Sequence, residues 1–265
     1  MSEDVVLNVD VGPDDGLYRI QRDRKVLYVL LKYLELIPED SRTLGPRIIR
    51  ELSKLEQWFD DWDTITIDKD QTGIVVRLNE FQPHSIPERL IRNDYLQVDI
   101  LDLPILGRLK CRTLYTCLNG SPCYVKFARF DFELAPIAQE IEVYHFLKDN
   151  HFTMIPKFLG YVYEGPHRVI GFLLEKIPGR HANIKDLEAC KKALKELHKF
   201  IVHGDLNQYN IIITDNGPKF IDLETSSINP LSKSIEWDIK TDLEVQSLHA
   251  KLSDDSGIGR PFTLQ

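Results

Sequence analysis

The sequence predicts an α+β protein, because helix-like and strand-like patterns fill separate stretches of the chain. Apolar residues recur at three- and four-residue intervals in five stretches, which predicts helices at 19–37, 43–59, 135–148, 184–200 and 237–252. Short apolar runs around polar turns predict strand hairpins, as at 64–67 with 74–78 and at 211–213 with 219–221. The last hairpin follows a polar octapeptide, 203–210 (HGDLNQYN), around which the rest of the chain is organised.

The composition restricts the class of partner. The 265 residues carry a formal net charge of −8, which argues against a general binder of nucleic acid or anionic membranes. The beginning, MSEDVVLNVD, lacks the features of a secretory signal, and the most apolar stretch, 26–37, is too short to cross a bilayer. Four cysteines without metal-binding spacing predict reduced thiols. We therefore expect a cytoplasmic or nuclear protein with no nucleic-acid or membrane partner.

Residues 1–95 are predicted to form an N-terminal extension of helices and one hairpin, without recognisable chemistry. Its polar first part, 1–18, contains glycine and proline and predicts a flexible lead. Two helices and the hairpin of 64–78 follow, and a proline-containing connection at 80–95 marks the boundary. This extension is expected to pack on the rest of the chain or to recruit a protein partner.

From residue 96 the pattern predicts strands, one helix and further strands. The stretches 98–102 and 105–109 predict a first strand, 111–118 a second, and 123–128 a third that contains Lys126. The helix at 135–148 carries Glu140 and Glu142 near its middle, and 155–163 and 168–175 predict two more strands.

The octapeptide and its hairpin bring together the residue types that phosphoryl transfer needs. Asp205 precedes the hairpin, Asn210 follows Asp205 by five residues, and Asp222 ends the second strand. Because a hairpin returns on itself, these three polar groups can meet at one point. One carboxylate would orient a hydroxyl nucleophile, and the carboxamide and the second carboxylate would hold Mg²⁺ on nucleotide phosphates.

This arrangement resembles the protein-kinase-like superfamily, whose usual motifs are H-R-D-x-x-x-x-N and then D-F-G. The chain has HGDLNQYN and then DLE, and glycine after the histidine is more similar to aminoglycoside phosphotransferase-like, lipopolysaccharide kinase-like and atypical protein kinases. The resemblance covers about 96–250 and implies a two-lobed fold. The small lobe would be 96–175 and the large lobe 176–265, reduced in size because no A-P-E motif and only 43 residues follow Asp222.

The resemblance implies a kinase that uses ATP and Mg²⁺ to phosphorylate a hydroxyl. Asp205 would be the catalytic base, and Asn210 and Asp222 would be the metal ligands. The acceptor would be a small molecule or a serine or threonine of a protein, because both need the same chemistry.

The resemblance also implies how ATP is held. Lys126 would contact the α and β phosphates and pair with Glu140, with Glu142 as the alternative. The backbone from Glu175 to Ile177 would bond adenine at the hinge between the lobes.

The chain departs from the family in the glycine-rich loop, where only Gly107 is present and Arg108 or Lys110 would supply positive charge instead. This departure supports an alternative, a catalytically weak pseudokinase that acts as a nucleotide- or protein-binding scaffold. A further alternative is a hydrolase that uses Asp205 and Asp222, which leaves Asn210 and Lys126 without roles.

The last predicted helix, 237–252, has Ile239, Leu243 and Leu252 on its apolar side. Asp238 is the candidate on this helix to anchor the catalytic loop. Residues 253–265 contain glycines and charges and are predicted to be loose.

Overall fold

The computed structural model describes residues 4–166, 168–230 and 234–262. These residues form sheets of five and six strands, two small sheets and four α-helices, so the predicted α+β class is confirmed. No helix among them is long and apolar enough to cross a membrane. Residues 1–3 and 263–265, at the ends of two stretches predicted to be loose, lie outside the described residues.

The first sheet contains strands from the region predicted to be a helical extension. Its strand order is β1-β2-β3-β4-β5, with β3 and β4 parallel and the other pairs antiparallel. The strands are β1 (Val5–Val11), β2 (Gly16–Arg22), β3 (Lys25–Leu31), β4 (Thr64–Asp70) and β5 (Gly73–Leu78). The hairpin predicted at 64–78 is therefore present as β4 and β5.

The predicted helix at 19–37 and the predicted flexible lead are both wrong. The lead contributes β1 and the start of β2, and 19–37 contains most of β2, all of β3 and a single helical turn, Leu34–Leu36. Because β3 is the central strand, five of its seven residues are buried and both of its faces carry apolar side chains. Such a continuous apolar run matches a helical period as well as a strand. The turn at Asp23, with φ of 52°, reverses the chain so that β2 and β3 form a hairpin.

The predicted helix at 43–59 is shorter than expected. Helix α1 (Gly45–Leu52) begins with a proline in its first turn and buries Ile48 and Leu52 against the first sheet. A separate helical turn, Glu56–Phe59, then places Trp58 in the same core, beside Trp62. Large side chains from this crossover thus cover one face of the sheet.

The second sheet has the strand order β6-β10-β11-β9-β8-β7. Its strands are β6 (Leu96–Asp99), β7 (Ile105–Lys110), β8 (Thr113–Leu118), β9 (Ser121–Phe127), β10 (Phe158–Glu164) and β11 (Arg168–Glu175). The predicted first strand is in fact two strands, because a helical turn, Ile100–Asp102, sends the chain from one edge of the sheet to the other. Helix α2 (Leu134–Asp149) packs on the sheet through its buried side.

The rest of the chain surrounds the octapeptide. It comprises β12 (Arg180–His181), α3 (Leu187–Leu197), β13 (Ile201–Val202), β14 (Ile211–Thr214), β15 (Gly217–Phe220), β16 (Ser227–Ile228) and α4 (Ile235–Leu252). Strands β14 and β15 form the predicted hairpin, and β12 pairs with β14. Strand β13 leads into the octapeptide and pairs with β16.

Helix α4 buries Leu252 as predicted, but the other two residues of the predicted apolar side are not buried. Glu244, Leu248 and Leu252 are buried at four-residue spacing, whereas Ile239 and Leu243 are exposed. A charged residue is part of the buried stripe because it bonds the octapeptide, so hydrophobicity alone indicates the wrong face.

A buried ionic cluster joins the first sheet to the second. Glu164, fully buried at the end of β10, accepts hydrogen bonds from Arg19 through Nε (2.8 Å) and Nη2, and from the Tyr28 hydroxyl at 2.6 Å. Arg168 Nη2 also donates to Glu164, through Oε2, at 2.8 Å. Burial would raise the pKa of Glu164, but Arg19 and Arg168 outweigh it and lower the pKa.

We expect Glu164→Gln to destabilise the protein by about 3–5 kcal/mol, because it leaves the buried Arg19 and the neighbouring Arg168 without a counter-charge. Urea unfolding measures this change in the free energy of unfolding. The matched control is Glu188→Gln, whose side chain is 86% exposed and should change stability little. Equal unfolding midpoints for the two variants would show that the cluster does not hold the sheets together.

Candidate functional site

A cavity of about 300 Å³ lies between the second sheet and the β14–β15 hairpin. Strands β7, β8 and β9 supply one wall through Leu109, Lys110, Thr113, Tyr124 and Lys126. The opposite wall comes from the hairpin and the octapeptide, through Tyr209, Asn210, Ile212, Ile221 and Asp222. The stretch 174–181 closes one end, so the predicted functional residues other than Asp205 border a space of ligand size.

Lys126 lies at the centre of the polar part of this cavity. Its Nζ is 2.5 Å from Glu140 Oε2, 2.5 Å from Asp222 Oδ1 and 3.1 Å from Glu224 Oε2. Glu140 uses its other oxygen to accept a hydrogen bond from the main-chain N–H of Leu223 at 3.0 Å. Glu140 therefore connects α2 both to the strand lysine and to the chain directly after Asp222.

Charge compensation keeps Lys126 protonated despite its burial. Burial alone would lower the pKa of Lys126, but the carboxylates of Glu140, Asp222 and Glu224 outweigh it and raise the pKa. For Glu140, burial raises the pKa and the neighbouring Asp222 adds to that effect, whereas Lys126 opposes it. The ammonium group thus binds carboxylates that would otherwise repel one another.

Asp222 stands two residues after the end of β15, and each of its carboxylate oxygens contacts a lysine. Oδ1 contacts Lys126, and Oδ2 accepts from Lys110 Nζ at 2.7 Å. Burial would raise the pKa of Asp222, but Lys126 and Lys110 outweigh it and lower the pKa far below its usual range. The backbone of Asp222 has φ of 66°, which is uncommon for a residue other than glycine. The hairpin end is thus held in an unusual conformation that turns the carboxylate into the cavity.

Asp205 and Asn210 are joined directly. Asn210 Nδ2 donates to the main-chain oxygen of Asp205 at 2.8 Å and to its Oδ2 at 3.3 Å. The carbonyl of Asn210 accepts from the N–H of Ile221 at 3.0 Å, which places Asn210 beside the end of the hairpin. Asn210 lines the cavity, whereas Asp205 is exposed outside its wall. The three residues predicted to meet are therefore brought into one region, with Asp205 on its outer side.

His203 and Gly204 shape the loop that carries Asp205. Burial lowers the pKa of His203, so the ring is neutral, and its Nε2 donates to the carbonyl of Ile221 at 3.0 Å. Gly204 has φ of 84°, and a Cβ there would lie 2.5 Å from the carbonyl of Thr225. This close approach requires glycine where the usual kinase motif has arginine.

Glu244, rather than the predicted Asp238, anchors this loop from α4. Its carboxylate accepts from the N–H of Gly204 at 2.8 Å, from the N–H of His203 at 3.1 Å and from His198 Nε2 at 2.8 Å. Asp238 is exposed and lies on another side of the helix. The prediction failed because Glu244 looked like one of many surface charges.

The structure distinguishes two pairs of alternatives. Lys126 pairs with Glu140, whereas Glu142 contacts Arg89 at 3.8 Å near the surface. Of the two basic residues beside Gly107, Lys110 reaches Asp222, whereas Arg108 is exposed and donates to the carbonyl of Cys111.

Arg112 was missed by the sequence interpretation and reaches the site from the β7–β8 turn. Its Nη2 donates to both carboxylate oxygens of Glu224 at 3.0 Å. A basic residue in a two-residue hairpin turn is a common surface feature, so its type gives no signal. The nearness of Arg112 to the deviant glycine-rich loop is the one clue that could have indicated it.

Residues 253–262, predicted to be loose, pack against the cavity instead. Arg260 Nε donates to the Tyr209 hydroxyl at 2.9 Å, and the N–H of Phe262 donates to the carbonyl of Leu109 at 2.7 Å. Gly259 and Pro261 line the cavity. This segment therefore connects the octapeptide to β7 across the cavity edge.

Glu175 and Ile177 lie at the closed end of the cavity, as the hinge prediction requires. The N–H of Glu175 donates to the carbonyl of Lys157 at 3.0 Å, so this group is already paired. The Glu175 side chain contacts Lys219 Nζ at 3.4 Å. A planar ligand at this end of the cavity would therefore have to bond backbone groups of this stretch other than the N–H of Glu175.

The donor set fits a hard divalent cation. The carboxylate oxygens of Glu140, Asp222 and Glu224 include one from each residue that lie within 4.8 Å of one another. Asn210, also on the cavity wall, donates through Nδ2 to Asp205, which leaves its carboxamide oxygen as a further ligand atom. Oxygen ligands of this kind are those that Mg²⁺ prefers.

Residues 175–242 match the family model of the RIO domain, an atypical protein kinase-like family, which supports a kinase in general. The match spans about a quarter of the chain and contains Asp205, Asn210 and Asp222. Lys126 and Glu140 precede it, so their approach to Asp222 is a separate observation. No curated protein matches the chain.

We expect Glu244→Gln to destabilise the protein by about 1–3 kcal/mol at pH 7, because it weakens hydrogen bonds to buried groups. Burial would raise the pKa of Glu244, but His198 and the N–H groups of Gly204 and His203 lower it. A carboxyl with a lowered folded pKa contributes stability above the unfolded pKa, about 4.3, and loses it as the pH falls through the folded pKa. Unfolding at several pH values should show the difference from wild type shrinking below about pH 4.

Glu236→Gln is the control for this pH dependence, because Glu236 is on the same helix but is exposed beside Lys240. It should leave stability unchanged at pH 7. A constant difference between wild type and Glu244→Gln at every pH would contradict the ionised role of Glu244.

Proposed function

We propose that this protein is an ATP- and Mg²⁺-dependent phosphotransferase that moves the γ-phosphate to a hydroxyl acceptor. The main support for this proposal is the cluster in which Lys126 contacts Glu140 and Asp222 on the wall of a ligand-sized cavity. The RIO domain match, which contains Asp222, gives independent support for a kinase. A structural ion pair has no need of such a cavity, whereas a nucleotide site does.

The proposed architecture has two lobes around the cavity. The second sheet with α2 would be the small lobe, about 96–175, and the part from 176 onward would belong to the large lobe. Residues 1–95, with the first sheet, would be an extension fixed to the small lobe by the Glu164 cluster. Glycine at 204 favours the aminoglycoside phosphotransferase-like or lipopolysaccharide kinase-like type.

In this proposal Asp222 and Asn210 hold Mg²⁺. The bound ion supplies neutralisation of the charge that develops on the transferred phosphoryl group. Lys126 contacts the α and β phosphates, and Glu140 keeps the ammonium group in position. Adenine occupies the closed end of the cavity, against the backbone between Glu175 and Ile177.

Asp205 accepts the proton of the acceptor hydroxyl in this proposal. Its carboxylate lies outside the cavity wall and next to Asn210, so an acceptor approaches from solvent while the nucleotide fills the cavity. The bond from Asn210 Nδ2 fixes the orientation of the carboxylate. Both a metabolite and a serine or threonine side chain satisfy this chemistry.

A second candidate function is a pseudokinase scaffold, and one observation favours it. Lys126 and Lys110 contact both oxygens of Asp222, so a metal ion there would compete with an ammonium group at either oxygen. If neither lysine moved, the cavity would bind nucleotide weakly or only support a protein partner.

Thermal unfolding with Mg·ATP distinguishes these two functions. A ligand at a hundred times its Kd stabilises the native state by about 2.7 kcal/mol, so the kinase function predicts a Mg²⁺-dependent rise in Tm. Asp222→Ala should abolish this rise. Asp215→Ala, at the exposed turn of the same hairpin, should keep it. The absence of any shift in wild type at millimolar Mg·ATP would favour the scaffold.

We expect Asp205→Asn to lower ATP turnover by about 10²–10⁴-fold, because the variant cannot accept the hydroxyl proton. Nucleotide affinity should not change, since Asp205 lies outside the cavity wall. Turnover with water as acceptor and calorimetric titration of Mg·ADP measure the two quantities, with Asp215→Asn as control. Full turnover in Asp205→Asn would refute its proposed role.

A further inference from the structure

Two basic side chains of the β7–β8 hairpin reach the acids of the cavity. Strand β7 ends at Lys110 and β8 begins at Thr113, so the connecting turn is short. The carbonyl of Arg112 accepts from the N–H of Phe127 at 3.1 Å, which ties this turn to β9. Lys110 contacts Asp222 and Arg112 contacts Glu224, so the hairpin lies over the acids where a glycine-rich loop would cover phosphates.

We propose that Lys110 stands in for the divalent cation at Asp222 and moves to the nucleotide phosphates when Mg-nucleotide binds. This assignment rests on the phosphotransferase function proposed above and adds a residue that couples the binding of metal to the binding of nucleotide. Lys110 is then both a competitor of Mg²⁺ and a phosphate ligand.

The two lysines on Asp222 differ in how firmly they are held. Lys126 contacts three carboxylates and is 9% exposed, whereas Lys110 is 39% exposed and its one ion pair within the described residues is with Asp222. Removing Lys126 from Asp222 would disturb a buried network. Removing Lys110 breaks one partly exposed contact, so Lys110 is the side chain that a metal ion displaces.

The charges around Asp222 are balanced before any ligand binds. The cluster contains three cations and three carboxylates, namely Lys110, Arg112, Lys126, Glu140, Asp222 and Glu224. A divalent ion added alone would leave excess positive charge beside both lysines, which is unfavourable. The phosphates of a nucleotide compensate that excess. Metal and nucleotide should therefore each strengthen the binding of the other, as linkage requires.

Lys110 can serve both partners because it already lines the cavity beside Lys126. Its ammonium group is a point charge on a flexible stem and can leave Asp222 Oδ2 for a phosphate without movement of the strand. Arg112 stays behind, because its Nη2 contacts both oxygens of Glu224. Its Nη1 is buried and has no hydrogen-bond partner among the described residues.

Calorimetric titration of the full chain tests this assignment with Mg²⁺ alone and with ADP at saturating Mg²⁺. In Lys110→Gln we expect Mg²⁺ alone to bind about tenfold tighter and ADP to bind about tenfold weaker, within the usual range of coupling between sites. Lys110→Arg keeps the charge and should remain close to wild type in both titrations. Arg108→Gln, an equal loss of charge on the exposed part of the same hairpin, should change neither affinity.

The assignment predicts changes of opposite sign in Lys110→Gln, namely tighter binding of Mg²⁺ alone and weaker binding of ADP. If Lys110→Gln left the affinity for Mg²⁺ alone unchanged, or weakened it, Lys110 would be a static ion-pair partner and the assignment would be overturned. Wild type that binds Mg²⁺ equally with and without ADP would overturn it as well. Wild type that showed strong metal–nucleotide coupling, retained in Lys110→Gln, would leave the phosphotransferase function standing and would remove only the role of Lys110.

Discussion

The contact between Lys126 and three carboxylates is the constraint on which the site depends. Lys126 belongs to β9, Glu140 to α2, and Asp222 and Glu224 to the stretch after the hairpin. The ammonium group of Lys126 therefore joins three parts of the chain. Their carboxylates would repel one another without it, and burial makes that repulsion stronger. The same contact gives the cavity its polar end, while the apolar residues of the two walls enclose the rest. The same ion pairs therefore hold the surrounding elements together and form the polar end of the cavity.

The sequence was most informative where the chemistry is local. Asp205, Asn210 and Asp222 lie on one loop and one hairpin, so spacing alone predicts their approach, and the structure brings them into one region. Lys126 and Glu140 are indicated by their order along the chain under the kinase resemblance, although nothing local joins them. The positions of Arg112 and Glu244 could not be predicted in this way, because each depends on tertiary packing of elements far apart in sequence.

The fold was predictable to a different degree in its two halves. In the second half, amphipathic helices and short hairpins have distinct periods, and the predicted elements are largely those observed. In the first half, β3 is buried on both faces, so its apolar residues satisfy a helical spacing by coincidence. Helix α4 shows the same weakness, since its buried side includes Glu244 and its exposed side includes Ile239. Apolar pattern fails where a strand is buried on both faces or where a buried side chain is charged.

The Glu164 cluster has a consequence for dividing this chain into fragments. Two of the three side chains that bond Glu164 come from the first sheet, and only Arg168 belongs to the second. A fragment that begins at residue 96 would therefore keep an acid with most of its partners removed, next to Phe130, which packs against Val26 and Tyr28 in the whole chain. We therefore expect a fragment that begins at residue 96 to be less stable than the full chain, because it lacks the contacts of the first sheet.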